Sequence, residues 1–312
     1  MTHTNAITSQ NHRHTRRCPS DCPVHDRHPR PTTARDWIAD QPGAWVMALF
    51  PALAGLIVGA AQSGSRLWTA LWLLVCWTLC YCFEFSAARW LKSRGGRRYL
   101  PPTIGYGAIL ALIGVPFVVL HPDILIWAPI YAVLAGVEFA AAWLRRERSL
   151  WGNAAAVIAA SLMATITYGY AGYRPMTTLE DYCAYYDCMV GERMVDLIGP
   201  AWPNETGLWL AAIFAAIEFG SVLFVKTMIR ERGDRRYMAA SWLWHAALLV
   251  WWMCWRPTEG WGWLTAAAVI LLLRAVALPV VARRRHVKPV VTGAVEAVAN
   301  IVALIFVILA WI

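Results

Sequence analysis

The sequence predicts an all-α protein, a polytopic transmembrane helical bundle of about nine spans, and three observations predict it. Hydrophobic residues make up 59% of the 312 residues and charged residues only 15%, against about 25% charged in a typical soluble domain. One soluble core could not bury so much apolar sequence, because single cores stop growing in proportion to chain length. The charge is also segregated. Long apolar runs alternate with short basic stretches, and the runs approach the ~20 residues needed to cross ~30 Å of hydrocarbon. Finally, the runs are continuous and rich in Leu and Ala, without the period-2 alternation of a membrane barrel, which leaves helices.

In chain order, residues 1–40 come first. They are polar, rich in Pro and Arg and without an apolar period, so they are predicted to be a disordered cytoplasmic tail, separate from a multi-pass domain over 41–312. No apolar core with a small-residue cleavage site follows, which argues against a signal peptide. The tail holds Cys18, Cys22, His25 and His28, four ligands of the type that hold tetrahedral zinc and, once deprotonated, would order the segment around the metal. Spans are then expected over 44–61, 67–90, 102–120, 124–144, 152–172, 207–228, 239–255, 262–282 and 292–311. The third and fourth are separated by little more than HPD (121–123), which predicts a tight helical hairpin. The long loop between the fifth and sixth carries Cys183 and Cys188, whose spacing permits a small disulfide in an oxidising compartment. Cys76, Cys80, Cys82 and Cys254 fall within spans, where a free thiol behaves as a small hydrophobe.

Basic residues orient the bundle. KSRGGRR (92–98), RRER (145–148), the 226–236 stretch and RRRHVK (283–288) carry about sixteen Lys and Arg, and they follow the second, fourth, sixth and eighth spans. The alternate loops carry about four: Arg66, Arg174, Arg193 and Arg256. The positive-inside rule therefore puts the N-terminus in the cytoplasm and the C-terminus outside. The net charge of +9 becomes a feature of the inner leaflet, so membrane lipids rather than nucleic acid are the expected partners.

Ionisable side chains inside the spans are functional pointers, because an unpaired charge in hydrocarbon is costly. They are Glu84, Glu138, Glu218, His245, Arg274 and Glu296. Helical spacing puts His245 under Ser241, Asn300 under Glu296 and Glu218 beside Ser221, and Arg274 is expected to pair with Glu218 or Glu296 around a polar cavity. The same residues could instead serve only to fix helix packing.

Soluble-enzyme motifs are missing: there is no P-loop, GxGxxG, HExxH or GxSxG, and no Asp-rich magnesium motif. VKTMIRERG (225–233), followed by Ser241 and His245, resembles the signature of the YwiC-like bacterial membrane proteins. GAWVMALFPALAG (43–55), the ERS at 147–149, Arg274 with Pro279, Lys288-Pro289 and Gly293-x2-Glu296 resemble that family as well. The resemblance covers nearly all of 41–312 and implies a bacterial cytoplasmic-membrane protein. Two positions depart from the family pattern: Pro42 stands where a His precedes the GAW, and Asn153 stands where an acidic residue follows the ERS. In span count and orientation the chain is also similar to the UbiA prenyltransferase superfamily, whose chemistry sits at the cytoplasmic ends of spans two and six. The Asp-rich pairs that bind magnesium there are absent, the nearest acids being Glu84, Glu231 and Asp234.

The basic loops after spans two and six define the expected site. Arg94, Arg97, Arg98, Lys226, Arg230 and Arg232 would converge on an anionic isoprenoid or lipid head group, with guanidinium groups making bidentate contacts. Binding or processing of such a ligand is the first function class, and whether it includes catalysis is left open. A small-solute or ion transporter and an assembly factor for a respiratory complex are the alternatives.

Overall fold

Residues 34–38, 42–62, 66–172, 199–256, 258–284 and 287–312 are described by the computed structural model. The zinc ligand set Cys18, Cys22, His25 and His28 and the cysteine pair Cys183 and Cys188 lie outside these residues.

Every long apolar run forms a helix, and among the described residues there is no strand. A helical turn α1 (Ala34–Trp37), within the segment expected to be a tail, precedes α2 (Pro42–Gln62) and α3 (Leu67–Lys92). A 3₁₀ turn (Arg97–Tyr99) leads into α4 (Leu100–Leu120), whose first turn takes Pro101 and Pro102 where a helix has no N–H to lose. A second 3₁₀ turn (Pro122–Trp127) opens α5 (Ala128–Trp143), followed by α6 (Leu150–Gly172). Asn204 caps α7 (Glu205–Val225) by accepting from the Gly207 N–H at 2.7 Å. That helix runs on as a π-helical segment over Lys226–Arg230. Asp234 caps α8 (Arg235–Cys254), and α9 (Trp261–Arg284) and α10 (Pro289–Leu309) complete the bundle.

The centre of the bundle is the pair α2 and α6, which pack along most of their length. The residues at their seam are small enough for backbones to touch. A Cβ on Gly55 would sit 2.0 Å from the Ala164 carbonyl oxygen, and one on Gly59 would sit 2.6 Å from that of Tyr168. Thr167 adds a hydrogen bond to the Ala52 carbonyl at 2.8 Å, and Trp77 one to that of Ala48 at 2.6 Å. Both acceptors lie close to Pro51, which has no N–H to give the helix. The glycines are spaced as in other close-packed membrane helix pairs. α6 also packs on α7, while α3, α4 and α5 form one flank and α8, α9 and α10 the other.

Burial grades outward from this centre. In α6 and α7, 61% of the most apolar stretch is buried, but in α4 only 6%. Ile104, Leu112, Val115 and Val119 of α4 therefore point out of the protein, as side chains facing lipid do. The chain reverses between α4 and α5 as HPD predicts, yet both helices pack on α3 rather than along each other. Asp123 is drawn inward instead, accepting from the Tyr170 hydroxyl and the Ala201 N–H, each at 3.0 Å.

Contacts at the two ends sort the loops. At one end Lys92 pairs with Glu147 at 2.7 Å, Lys226 donates to the Arg148 carbonyl, Arg232 donates to that of Ala282, and Arg98 pairs with Asp36 of α1. The four basic stretches thus share one face. At the other end Gln62 donates to the carbonyl of Trp311, and Trp127 to that of Ala201. Among the described residues, eight helices are both long enough and apolar enough to cross a membrane. The expected seventh span, α8, has the length but is less apolar, because its 20 residues include Ser241, His245 and Trp242, Trp244, Trp251 and Trp252. It nevertheless runs from the basic face to the opposite end, where Trp255 lies 3.8 Å from the Trp209 ring.

In a cysteine-free background, single substitutions Arg235→Cys and Glu259→Cys are expected to react with an impermeant thiol reagent from opposite sides of the membrane. Labelling of both from one side would reduce the crossings to eight. Gly55→Ala is expected to lower stability by about 1–3 kcal/mol through overpacking, read as a fall in melting temperature in detergent. Gly136→Ala, where an added Cβ meets nothing within 4 Å, should leave the melting temperature unchanged.

Candidate functional site

One polar side chain from each of several apolar helices meets at the flank formed by α7 to α10. Arg274 of α9 is buried and pairs with Glu296 of α10 through Nη1. Its other terminal nitrogen, Nη2, lies 3.3 Å from Nε2 of His245 on α8, and its guanidinium carbon sits 4.4 Å from the centre of the Phe224 ring on α7. The histidine's other nitrogen, Nδ1, is 2.7 Å from the Ser241 carbonyl oxygen. A carbonyl can only accept and a guanidinium can only donate. His245 is therefore assigned as the neutral tautomer with its proton on Nδ1 and its lone pair toward Arg274. Gly220 makes room for the ring, since a Cβ there would be 3.1 Å from Nε2.

The network continues on the far side of Glu296. Asn300, one turn along α10, donates to Glu296 Oε1 at 3.1 Å and accepts from the Ser221 hydroxyl of α7 at 3.3 Å. A guanidinium, a carboxylate, a neutral imidazole, an amide and a hydroxyl thus engage one another across four helices, while Nε of Arg274 has no hydrogen-bond partner among the described residues. Pairing is required here, because an unpaired buried charge is costly.

Next to this network lies a cavity of about 190 Å³ between α2, α6, α7 and α10, far more than the ~10–15 Å³ that one buried water needs. Its floor is Glu218, Ser221, Glu296 and Asn300. Asn153 of α6 and Gly43 of α2 form polar parts of the wall, and Val46, Met47, Val222 and Val225 form the apolar parts. Lys226 and Arg230 stand at its mouth on the basic face. Both belong to the π-helical segment, a distortion that often accompanies function. There the Glu231 N–H reaches back to the Lys226 carbonyl at 2.8 Å. Glu218 is 5% exposed, and its Oε2 has no hydrogen-bond partner among the described residues.

A larger recess of about 490 Å³ opens between α8, α9 and the same segment, lined by Arg232, Asp234, Arg235 and Arg283 among others. Several of its polar groups are already engaged. Arg232 donates to the Ala282 carbonyl at 3.1 Å, Arg283 contacts the Met238 sulfur at 3.1 Å, and Asp234 caps α8. The chemistry accordingly concentrates in the smaller cavity.

The residues singled out from sequence are thus distributed unevenly. Lys226, Arg230, Glu218 and Glu296 line one cavity, with Arg274, His245 and Ser241 behind it. Of the two partners expected for Arg274, Glu296 takes the ion pair. Ser241 meets His245 through its carbonyl, and its hydroxyl has no partner among the described residues. Arg232 faces the neighbouring recess. Arg94, Arg97 and Arg98 line neither cavity: Arg98 is held by Asp36, Arg97 is exposed, and Arg94 ends α3 in the left-handed region at φ 56°. Glu84 and Glu138 are half-buried on α3 and α5, away from both cavities. Asn153, visible in the sequence only as a departure from a family pattern, lines the cavity, and the cation–π face of Phe224 had no sequence signal. Among the described residues no group of three or more His, Cys, Asp or Glu is placed to hold a metal, and Cys76, Cys80, Cys82 and Cys254 are free.

Glu296→Ala is expected to cost about 3–5 kcal/mol of stability by leaving Arg274 buried and uncompensated. The double substitution Arg274→Met/Glu296→Met should recover most of that loss. Thermal unfolding of the three proteins in one detergent checks the order.

Residues 38–168 match the model of a family described as YwiC-like protein. A protein of Haemophilus influenzae, described only as uncharacterized, is 24% identical over 213 residues, which is 67% of this chain and 74% of that protein. No solved structure matches the chain.

Proposed function

We propose that this multi-pass membrane protein, YwiC-like over residues 38–168, binds the anionic head group of a lipid or isoprenoid at its basic face, taken as the cytoplasmic side of a bacterial inner membrane. The observation that carries the reading is the placement of Lys226 and Arg230 at the mouth of a cavity that opens among apolar helices. A phosphate there would meet a guanidinium able to make two parallel hydrogen bonds. Val46, Met47, Val222 and Val225 offer the adjoining chain an apolar wall. Lys226 is held by the Arg148 carbonyl, which fixes one cation and leaves Arg230, exposed at the surface, to close on the ligand. The reading is of binding, and no reaction is assigned.

Native mass spectrometry of the purified protein tests it. Wild type is expected to retain a discrete anionic lipid or isoprenoid. Arg230→Ala should reduce its occupancy about tenfold or more, the value of a lost charge-assisted hydrogen bond. Arg232→Ala, in the neighbouring recess, should leave it unchanged. Identical adducts on all three proteins would reduce the basic face to a topological anchor.

A further inference from the structure

The cavity beneath Lys226 and Arg230 has basic side chains at one end and acidic ones at the other. Its floor includes Glu218, whose Oε2 meets no hydrogen-bond partner among the described residues although the side chain is buried. Neighbouring groups do not supply a counter-charge. Arg274 is paired with Glu296, and His245 turns its lone pair toward Arg274. Lys226 is held at the mouth by the Arg148 carbonyl, and the Asn300 amide group donates to Glu296. A carboxylate in this position is costly unless a cation or donor reaches it.

We propose that the cavity takes an amphoteric ligand, one molecule with a phosphate-class anion at Lys226 and Arg230 and an ammonium group directed to Glu218. This rests on the reading above and narrows it, from anionic amphiphiles in general to those whose head group also carries an amine. Glu218 and Lys226 are eight residues apart in sequence, about 12 Å along the helix, and Arg230 lies four residues beyond Lys226. Side chains reaching in from each end and a head group of a few bonds bridge that distance. A lipid head group and a free amino-phosphate share this chemistry.

The test is a native mass spectrometry titration of the full-length protein with phosphatidylethanolamine, phosphatidylglycerol and free phosphoethanolamine. Wild type is expected to prefer the ethanolamine lipid over the glycerol lipid by about tenfold, as one charge-assisted hydrogen bond allows. Glu218→Gln, which keeps the shape of the side chain, should bind both lipids with no preference. Arg230→Ala should weaken both. Equal binding of the two lipids by wild type, a result that needs no variant, overturns the proposal, as does a preference that survives Glu218→Gln. Undiminished binding of both lipids to Arg230→Ala would instead overturn the anion site on which it rests. With the preference present, competition by phosphoethanolamine identifies a soluble ligand, and its failure to compete identifies the lipid.

Discussion

A guanidinium at the depth of the hydrocarbon must find its partners within the protein, and Arg274 imposes that condition on the whole flank of the bundle. Glu296 answers its charge, His245 offers a lone pair and Phe224 covers a face. Those three residues stand on α10, α8 and α7, so a single side chain of α9 fixes the azimuth of every helix around it. Apolar packing alone could not do this, because lipid tails are as apolar as Leu and Val and a helix rotated about its axis loses little. The polar contacts choose one rotation. Asn300 and Ser221 then carry the same constraint from α10 back to α7, next to the cavity.

The other half of the bundle is held by the opposite device. Between α2 and α6 the contact is made by removing side chains, so that Gly55 and Gly59 bring one backbone against the other. This seam carries hydrophobic clusters on both sides, with Ala54 and Val58 facing α7 to α10 and Ala52 and Leu56 facing α3 and α4. The cavity lies where the two devices meet, walled by the close-packed pair and floored by the polar network. Its mouth is at the basic face because α7 ends there in the π-helical segment that presents Lys226 and Arg230.

Much of the fold was legible in the sequence, since apolar length and basic punctuation are strong signals for membrane helices. Each expected span is a helix, and the four basic stretches do share one face. α8 is the instructive case: its tryptophans, Ser241 and His245 make it the least apolar of the long helices, and those same residues pack it into the network. The site was legible at the level of residue types. Pairing by helical spacing put Asn300 with Glu296 and His245 with Ser241, because i and i+4 always share a face. Spacing says nothing about distances between helices, so it could not choose between Glu218 and Glu296 for Arg274. Nor could it separate Arg94, Arg97 and Arg98 from Lys226 and Arg230, which differ only in where their loops fold. The Gly55-x3-Gly59 spacing is a signal for the seam that can be found in the sequence alone.

The seam has a mechanical consequence. Two backbones in contact have no side chains between them that could change rotamer and let one helix slide on the other. α2 and α6 therefore behave as one stiff plate, with α7 bearing on it. Across the cavity from that plate stands α10, which packs on α2, α7 and α9 with no glycine seam of the kind that joins α2 to α6. Steric room for a bulkier guest has to come from α10, and any such swing draws on Glu296 and, through it, on Arg274. The pocket is thus shaped like a vice with one fixed jaw, and its moving jaw is the one that carries the ion pair.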